Sequence, residues 1–152
     1  MGTTYLIDTN IGIYFLNGSL PQEVRDFLKT ALNESGSNVS VITKIELLGW
    51  QSGSAEQLQN VADFIQDSEV LPLTDAVVDK TIEIRRSLKI KLPDAVIAAT
   101  AIVQDFTLIS RNDEDFRKIP GLKHLNPLKS DGIKKASHSI PPQHGLSLSP
   151  KA

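Results

Sequence analysis

The sequence predicts an α/β protein with three layers, a largely parallel central sheet covered by helices on both faces. Three observations lead there. Short apolar segments of strand composition alternate with longer segments at helical spacing, the pattern of βα units. The stretch 95–103 is apolar or small nearly all the way round, which marks a central helix buried on every side. The first apolar run, Tyr5-Leu6-Ile7, ends on Asp8-Thr9-Asn10, three polar side chains in a row. A buried unpaired carboxylate is costly, so Asp8 belongs at the carboxyl edge of its strand, where open parallel sheets bind ligands. The plainer alternative is that Asp8 only caps the helix that follows.

The elements follow in order. Residues 4–8 read as the first strand, and a helix at 11–16 is closed by the stop signal Asn17-Gly18. A second helix runs from Pro21 to about Asn33, with Val24, Phe27, Leu28, Ala31 and Leu32 at helical spacing. Residues 38–42 have strand composition. Thr43 then suits the cap of a helix over 44–50, which puts Glu46 at the return position of a capping box. Ser54 and Gln57 repeat that pattern for a helix to about Gln66. A third strand is expected at 69–73, and Thr74 caps a long helix to Leu88. Pro93 suits the first turn of the buried helix, and Asp94 follows it. Residues 106–110 read as the fourth strand, 113–116 as one helical turn and 123–125 as a weak fifth strand. The domain is expected to span residues 1–128. Residues 129–152, rich in Ser, Pro, Gly, Lys and His, form a polar tail too poor in large apolar residues to offset its ordering entropy.

The totals narrow the chemistry. The 152 residues make one domain, with 40% hydrophobic and 22% charged residues, an ordinary globular composition. Absence of cysteine excludes disulfides, thiolate metal sites and a thiol nucleophile. No run is long and apolar enough for a membrane span, and no signal-like segment precedes the first strand, so the expected location is cytoplasmic. A net charge of -2 argues against a protein that coats nucleic acid by bulk charge, but not against a nuclease. Carboxylates that hold a metal make such a site acidic, while a few Lys and Arg at the rim meet phosphates.

Four acidic positions recur at the ends of elements: Asp8, Glu46, Asp94 and the run Asn112-Asp113-Glu114-Asp115. In a parallel sheet, the ends of strands one, two and four share an edge. Asp94 joins them only if the start of its helix reaches that edge. Carboxylates gathered in one pocket stay ionised together only around a cation. Oxygen ligands without Cys or a well-placed His favour Mg²⁺ or Mn²⁺. The bland alternative is that each acid is a separate cap or surface charge.

Four blocks carry a resemblance: Leu6-Ile7-Asp8-Thr9-Asn10, the stretch 42–49 with Glu46, the stretch 91–101 with Pro93-Asp94, and the stretch 108–116 from Leu108 to Phe116. In this order and spacing the chain resembles PIN-domain proteins over roughly 4–128, and among them the VapC toxins of toxin–antitoxin pairs. The resemblance implies a PIN-like three-layer α/β/α fold and a Mg²⁺- or Mn²⁺-dependent endoribonuclease. It implies an acidic core of Asp8, Glu46, Asp94 and Asp115, with Asp8 and Asp94 holding the metal and Glu46 and Asp115 as further ligand candidates. Asp113 is the alternative fourth acid. Thr9, Asn10, Ser110 and Asn112 match supporting positions, although Thr9 and Asn10 also suit a helix start. The implied reaction is hydrolysis of an RNA phosphodiester, with Asp94 or Asp8 helping to take the proton of an attacking water. A cognate antitoxin protein and a homodimer are the implied partners.

Other residues carry two readings each. Arg85 and Arg86 read as a rim for substrate phosphates or an acidic antitoxin, or as a solvated face suited to a helix C-terminus. Trp50 reads as an interface anchor or as core. His124, His138 and His144 all come late and read as incidental. The competing function is a PIN-like module that binds RNA or protein without cutting. A dehalogenase-type phosphatase is excluded because its second Asp, two residues after the first, is Asn10 here.

Overall fold

The computed structural model describes residues 2–51, 53–129 and 132–133. Its strands are short, three residues each: β1 (Tyr5–Ile7), β2 (Asn38–Ser40), β3 (Glu69–Leu71), β4 (Thr107–Ile109) and β5 (Lys123–Leu125). The helices are α1 (Thr9–Leu16), α2 (Gln22–Ser35), α3 (Val41–Leu48), α4 (Ala55–Asp67), α5 (Asp75–Ser87), α6 (Leu92–Gln104) and the single turn α7 (Asp113–Phe116).

All strand pairings are parallel. One ladder runs β1-β4-β5, another pairs β2 with β3, and β1 lies beside β2. At that junction the Asn38 Nδ2 donates to the Tyr5 carbonyl at 3.1 Å. A buried amide thereby satisfies a strand carbonyl where the backbone ladder is interrupted.

The pleat sorts the core into two layers. Tyr5, Ile7, Ile109 and Leu125 face one side with α1, α2 and α4, supplying Ile11, Phe27, Leu28, Val61 and Ile65. Leu6 and Leu108 face the other with α5 and α6, supplying Val77, Ile84 and the run from Ala95 to Ala99. Ala95 through Thr100 are all buried, as expected of the central helix. This is the three-layer α/β/α arrangement read from the sequence.

Local signals account for most boundaries. Gly18 adopts φ 75° just past α1, a left-handed turn suited to glycine. Ser54 and Gln57 form the expected capping box on α4, and Thr74 caps α5 through the Val77 N–H.

One boundary differs in a way that matters. β2 stops at Ser40, and Ser40 rather than Thr43 caps α3, its hydroxyl accepting from the Ile42 N–H. Glu46 therefore lies in the second turn of α3 and takes no part in a capping box. The β-branched run Val41-Ile42-Thr43 prefers strand locally, but burial of Thr43 and the serine cap override that preference. Strands three and four are also shorter than expected, ending at Leu71 and Ile109.

The expected tail lies outside the described residues, apart from Lys129, Gly132 and Ile133. Ile133 packs against the α1/α2/α4 layer. No helix among the described residues is long and apolar enough to cross a membrane.

Candidate active site

The β1–β4 register sets the site. Leu6 pairs with Leu108 and Ile7 with Ile109, so the next residues, Asp8 and Ser110, stand opposite each other where both strands end. The Asp8 N–H donates to the Ile109 carbonyl at 3.0 Å, and the Ser110 N–H to the Leu125 carbonyl. Asp8 does cap α1, its Oδ1 accepting from the Thr9 N–H at 2.9 Å. Its second oxygen, Oδ2, accepts from the Ser110 hydroxyl at 2.8 Å. Capping and site-building are thus done by one carboxylate with two differently employed oxygens.

Asp8 is only 5% exposed. Burial raises its pKa from 3.8 to about 6, against the opposing pull of the Ser110 and Thr9 hydrogen bonds, and the charges of Asp94 and Glu46 push it further up. Both of its donors are neutral groups. Asp94, in the first turn of α6, is likewise raised, by burial first and then by Asp115 and Glu46, with Lys91 opposing. The start of α6 is thus within electrostatic reach of Asp8 at the end of β1. Asp94 is therefore the acid that couples the group, acting on Asp8 and being acted on by Glu46 and Asp115.

Two linkers hold the remaining acids. Thr9 Oγ1 donates to Glu46 Oε1 at 2.7 Å and lies 2.9 Å from the buried Thr43 hydroxyl. On the other side, Ser110 Oγ accepts from the Asn112 N–H at 3.0 Å. Asn112 Nδ2 donates to Asp115 Oδ2 at 3.0 Å, and its Oδ1 accepts from the Asp115 N–H, capping α7. Thr9 and Ser110 each join two parts of the acidic group, a role that their exchange for apolar residues would abolish.

Asp113 is turned elsewhere. It pairs with Lys129 and lies 3.8 Å from His124 Nε2. Burial alone would raise its pKa, but hydrogen bonds from Lys129 and Asn126 and the charges of Lys129 and His124 hold it below the ordinary value. His124 is not incidental to the structure: its Nε2 lies 3.0 Å from the Ser110 carbonyl oxygen, and its ring meets Phe116 edge-on at 5.8 Å. His138 and His144 lie outside the described residues. Asn10 is exposed on the first turn of α1. Arg85 and Arg86 are exposed in the last turn of α5. Trp50 is half-buried against the core, beside a cavity of about 20 Å³ lined also by Ile13, Leu16 and Val61.

Thr43, His124, Lys129, Tyr14 and Arg111 were missed as parts of this region. Two of them carry a local signal: Thr43 lies three residues before Glu46, and Arg111 directly follows Ser110.

Among the described residues, no three His, Asp or Glu side chains converge closely enough to cage a metal ion. The donor set nevertheless fits Mg²⁺ or Mn²⁺. Mg²⁺ commonly keeps several waters and takes one or two carboxylates, so a closed protein cage is not required. None of the ion pairs among the described residues engages Asp8, Glu46, Asp94 or Asp115. Four neighbouring carboxylates with that little compensation are the environment in which a divalent cation is stabilised.

The PIN domain family model matches residues 5–122. The chain belongs to the PIN domain family. Within it the chain is VapC-like, as the four sequence blocks implied. It is 28% identical over 126 residues to Ribonuclease VapC2 of Rickettsia felis, covering 78% of this chain and 93% of that protein. A toxin–antitoxin complex from Klebsiella pneumoniae superposes with TM-score 0.64 and 30% identity, over 82% of this chain and 98% of that one. DNA-bound VapBC from Salmonella typhimurium gives TM-score 0.69 and 26% identity over 82% and 98%. VapBC2 from Rickettsia felis, bound to a promoter DNA fragment, gives 0.70 at 24% identity over 80% and 97%, a likeness of fold.

Proposed function

We propose that this PIN domain is a Mg²⁺- or Mn²⁺-dependent endoribonuclease and the toxin of a toxin–antitoxin pair. The observation that carries the reading is the acidic group around Asp8, which no ion pair among the described residues engages and in which Asp8 is raised to about 6 by burial and by its acidic neighbours. The ribonuclease name of the VapC2 relative supplies the substrate class. The VapBC and toxin–antitoxin complexes among its structural neighbours support an antitoxin partner.

In this reading Asp8 and Asp94 would hold the metal, with Glu46 and Asp115 as further ligand candidates. When bound, the ion supplies positive charge against the phosphodiester and acidifies water. The protein groups do the positioning. Asp8 cannot rotate, because both its oxygens are engaged. Thr9 aims Glu46, and Asn112 aims Asp115. Asp94 or Asp8 helps to take the proton of the attacking water. Asn10 is proposed as a supporting polar residue of the site, and the exposed Arg85 and Arg86 as a basic rim that attracts the RNA backbone at long range. A homodimer is proposed through the apolar residues left exposed on α3, Ile45 and Leu48. Action in the cytoplasm is proposed with the pairing to an antitoxin.

The test is cleavage of a defined hairpin RNA by the purified chain, with Mg²⁺ or Mn²⁺ and then with EDTA. Cutting abolished by EDTA supports the reading. Normal metal-free cutting contradicts it, and absence of any metal binding favours the non-catalytic module.

A further inference from the structure

Arg111 follows Ser110 directly, and its side chain crosses to α1. Its Nη1 donates to the Tyr14 hydroxyl at 2.6 Å, and its guanidinium carbon lies 5.3 Å from the centre of the Tyr14 ring. From these contacts we infer that Arg111, held by Tyr14, is a phosphate clamp that positions single-stranded RNA beside the acidic group. The inference rests on the proposed ribonuclease reading and adds a substrate-binding residue to it.

Four features support the assignment. The first is place. Asp8 caps α1 and bonds Ser110, so Tyr14 and Arg111 stand on the same two elements that build the site. Asn10 and Tyr14 are four apart on α1 and share a face, which leads from the acidic group to the pair.

The second is order. The Ser110 carbonyl oxygen lies 3.0 Å from His124 Nε2, and the Arg111 carbonyl accepts from Asn126 Nδ2 at 3.3 Å. The backbone on either side of Arg111 is tied, and its long side chain is tied at the far end by Tyr14. Holding a flexible side chain in place before the ligand arrives lowers the entropy cost of binding.

The third is charge. Among the described residues Arg111 has no ion-pair partner. One N–H is used on Tyr14, and the planar fork retains donors that match a phosphate. A cation left unneutralised one residue after Ser110, which bonds Asp8, gives an approaching polyanion an attractive charge on the same edge as the carboxylates that repel it.

The fourth is shape. A guanidinium packed against an aromatic ring is a surface on which unstacked nucleotides bind, which favours single-stranded over duplex RNA. Arg85 and Arg86, by contrast, are exposed on the last turn of α5 without such a hold.

The experiment is steady-state cleavage of a fluorogenic single-stranded RNA in Mg²⁺ by the parent, Arg111→Ala, Arg111→Lys and Tyr14→Phe, across roughly 50 to 200 mM salt. Thermal melting of each variant runs alongside. Arg111→Ala should raise KM about tenfold, change kcat by less than about twofold, and flatten the salt dependence by about one unit of log-log slope. Arg111→Lys should restore the slope and only part of KM, because it keeps the charge and loses the fork. Tyr14→Phe should fall between parent and Arg111→Ala. An unchanged KM and slope in Arg111→Ala, with the parent active, overturns the clamp and leaves the ribonuclease reading standing. A fall in kcat that tracks a fall in melting temperature, at constant KM, also overturns it, because the pair is then a structural latch. A parent that cuts no RNA removes the ribonuclease reading, and the clamp falls with it.

Discussion

Replacing Asp8 by Asn should make the metal-free protein more stable while removing its activity. Asp8 is buried, and its pKa rises from 3.8 to about 6 because burial and the charges of Asp94 and Glu46 disfavour the ionised form. At about 1.36 kcal/mol for each tenfold change in proton affinity, that difference is about 3 kcal/mol. The sign follows from proton linkage. Between pH 4 and 6 the folded chain binds more protons at this group than the unfolded chain does. Stability from this group is therefore highest below pH 4, falls as pH rises through that window and is flat above it. Asparagine carries no charge to desolvate. Its amide oxygen can keep the bond from the Thr9 N–H, and its NH₂ can donate to Ser110 Oγ, reversing the present direction. After allowing for imperfect bonds, a gain of roughly 1–3 kcal/mol at pH 7 remains, a rise of several degrees in Tm for a chain of this length. The assay is urea unfolding of parent and Asp8→Asn in EDTA at pH 4 to 7.5. The difference should be largest at pH 7 and close as pH falls toward 4. Added Mg²⁺ should narrow it again at pH 7, because a ligand held by the native parent stabilises it by mass action. Equal stability at pH 7, or a gap independent of pH, would refute the view of Asp8 as a buried carboxylate without a compensating cation.

Three further outcomes follow from the same geometry. Asp115→Asn should lower RNA cleavage by at least about 100-fold, while Asp113→Asn, whose carboxylate is occupied by Lys129 and His124, should stay within a few-fold, both read as initial rates. Ser110→Ala strips Asp8 Oδ2 of its donor and the Asn112 N–H of its acceptor, so it should destabilise the fold at pH 7 by about 1–3 kcal/mol in urea unfolding and lower kcat as well. Ser54→Ala breaks the α4 capping box and should cost about 1 kcal/mol in the same assay, with cleavage unchanged.

What could be read from the sequence was what local chemistry decides. The Ser54/Gln57 box, the Thr74 cap and the all-round apolar helix around Ala98 depend on residues a few positions apart, and they stand where they were expected. The start of α3 differs because Val41-Ile42-Thr43 reads as strand in isolation, and the burial of Thr43 against Thr9, together with the Ser40 cap, decides otherwise. That contact spans thirty-four positions, so no window along the chain contains it. The same reason hides the division of labour between Asp113 and Asp115. Two acids two residues apart look equivalent until Lys129 and His124, far along the chain, are seen to occupy one of them. Arg111 was present in a quoted block but acquires a use only when β4 brings it to Tyr14.

The most direct test of the central claim is a side-by-side measurement of RNA cleavage in Mg²⁺ by the parent and by Asp8→Asn, each shown to be folded by its melting curve. The account predicts cutting by the parent and a loss of at least about 100-fold in the variant, with no loss of fold. Cutting by Asp8→Asn at the parental rate would contradict it, because the acidic group around Asp8 would then not be where the chemistry occurs.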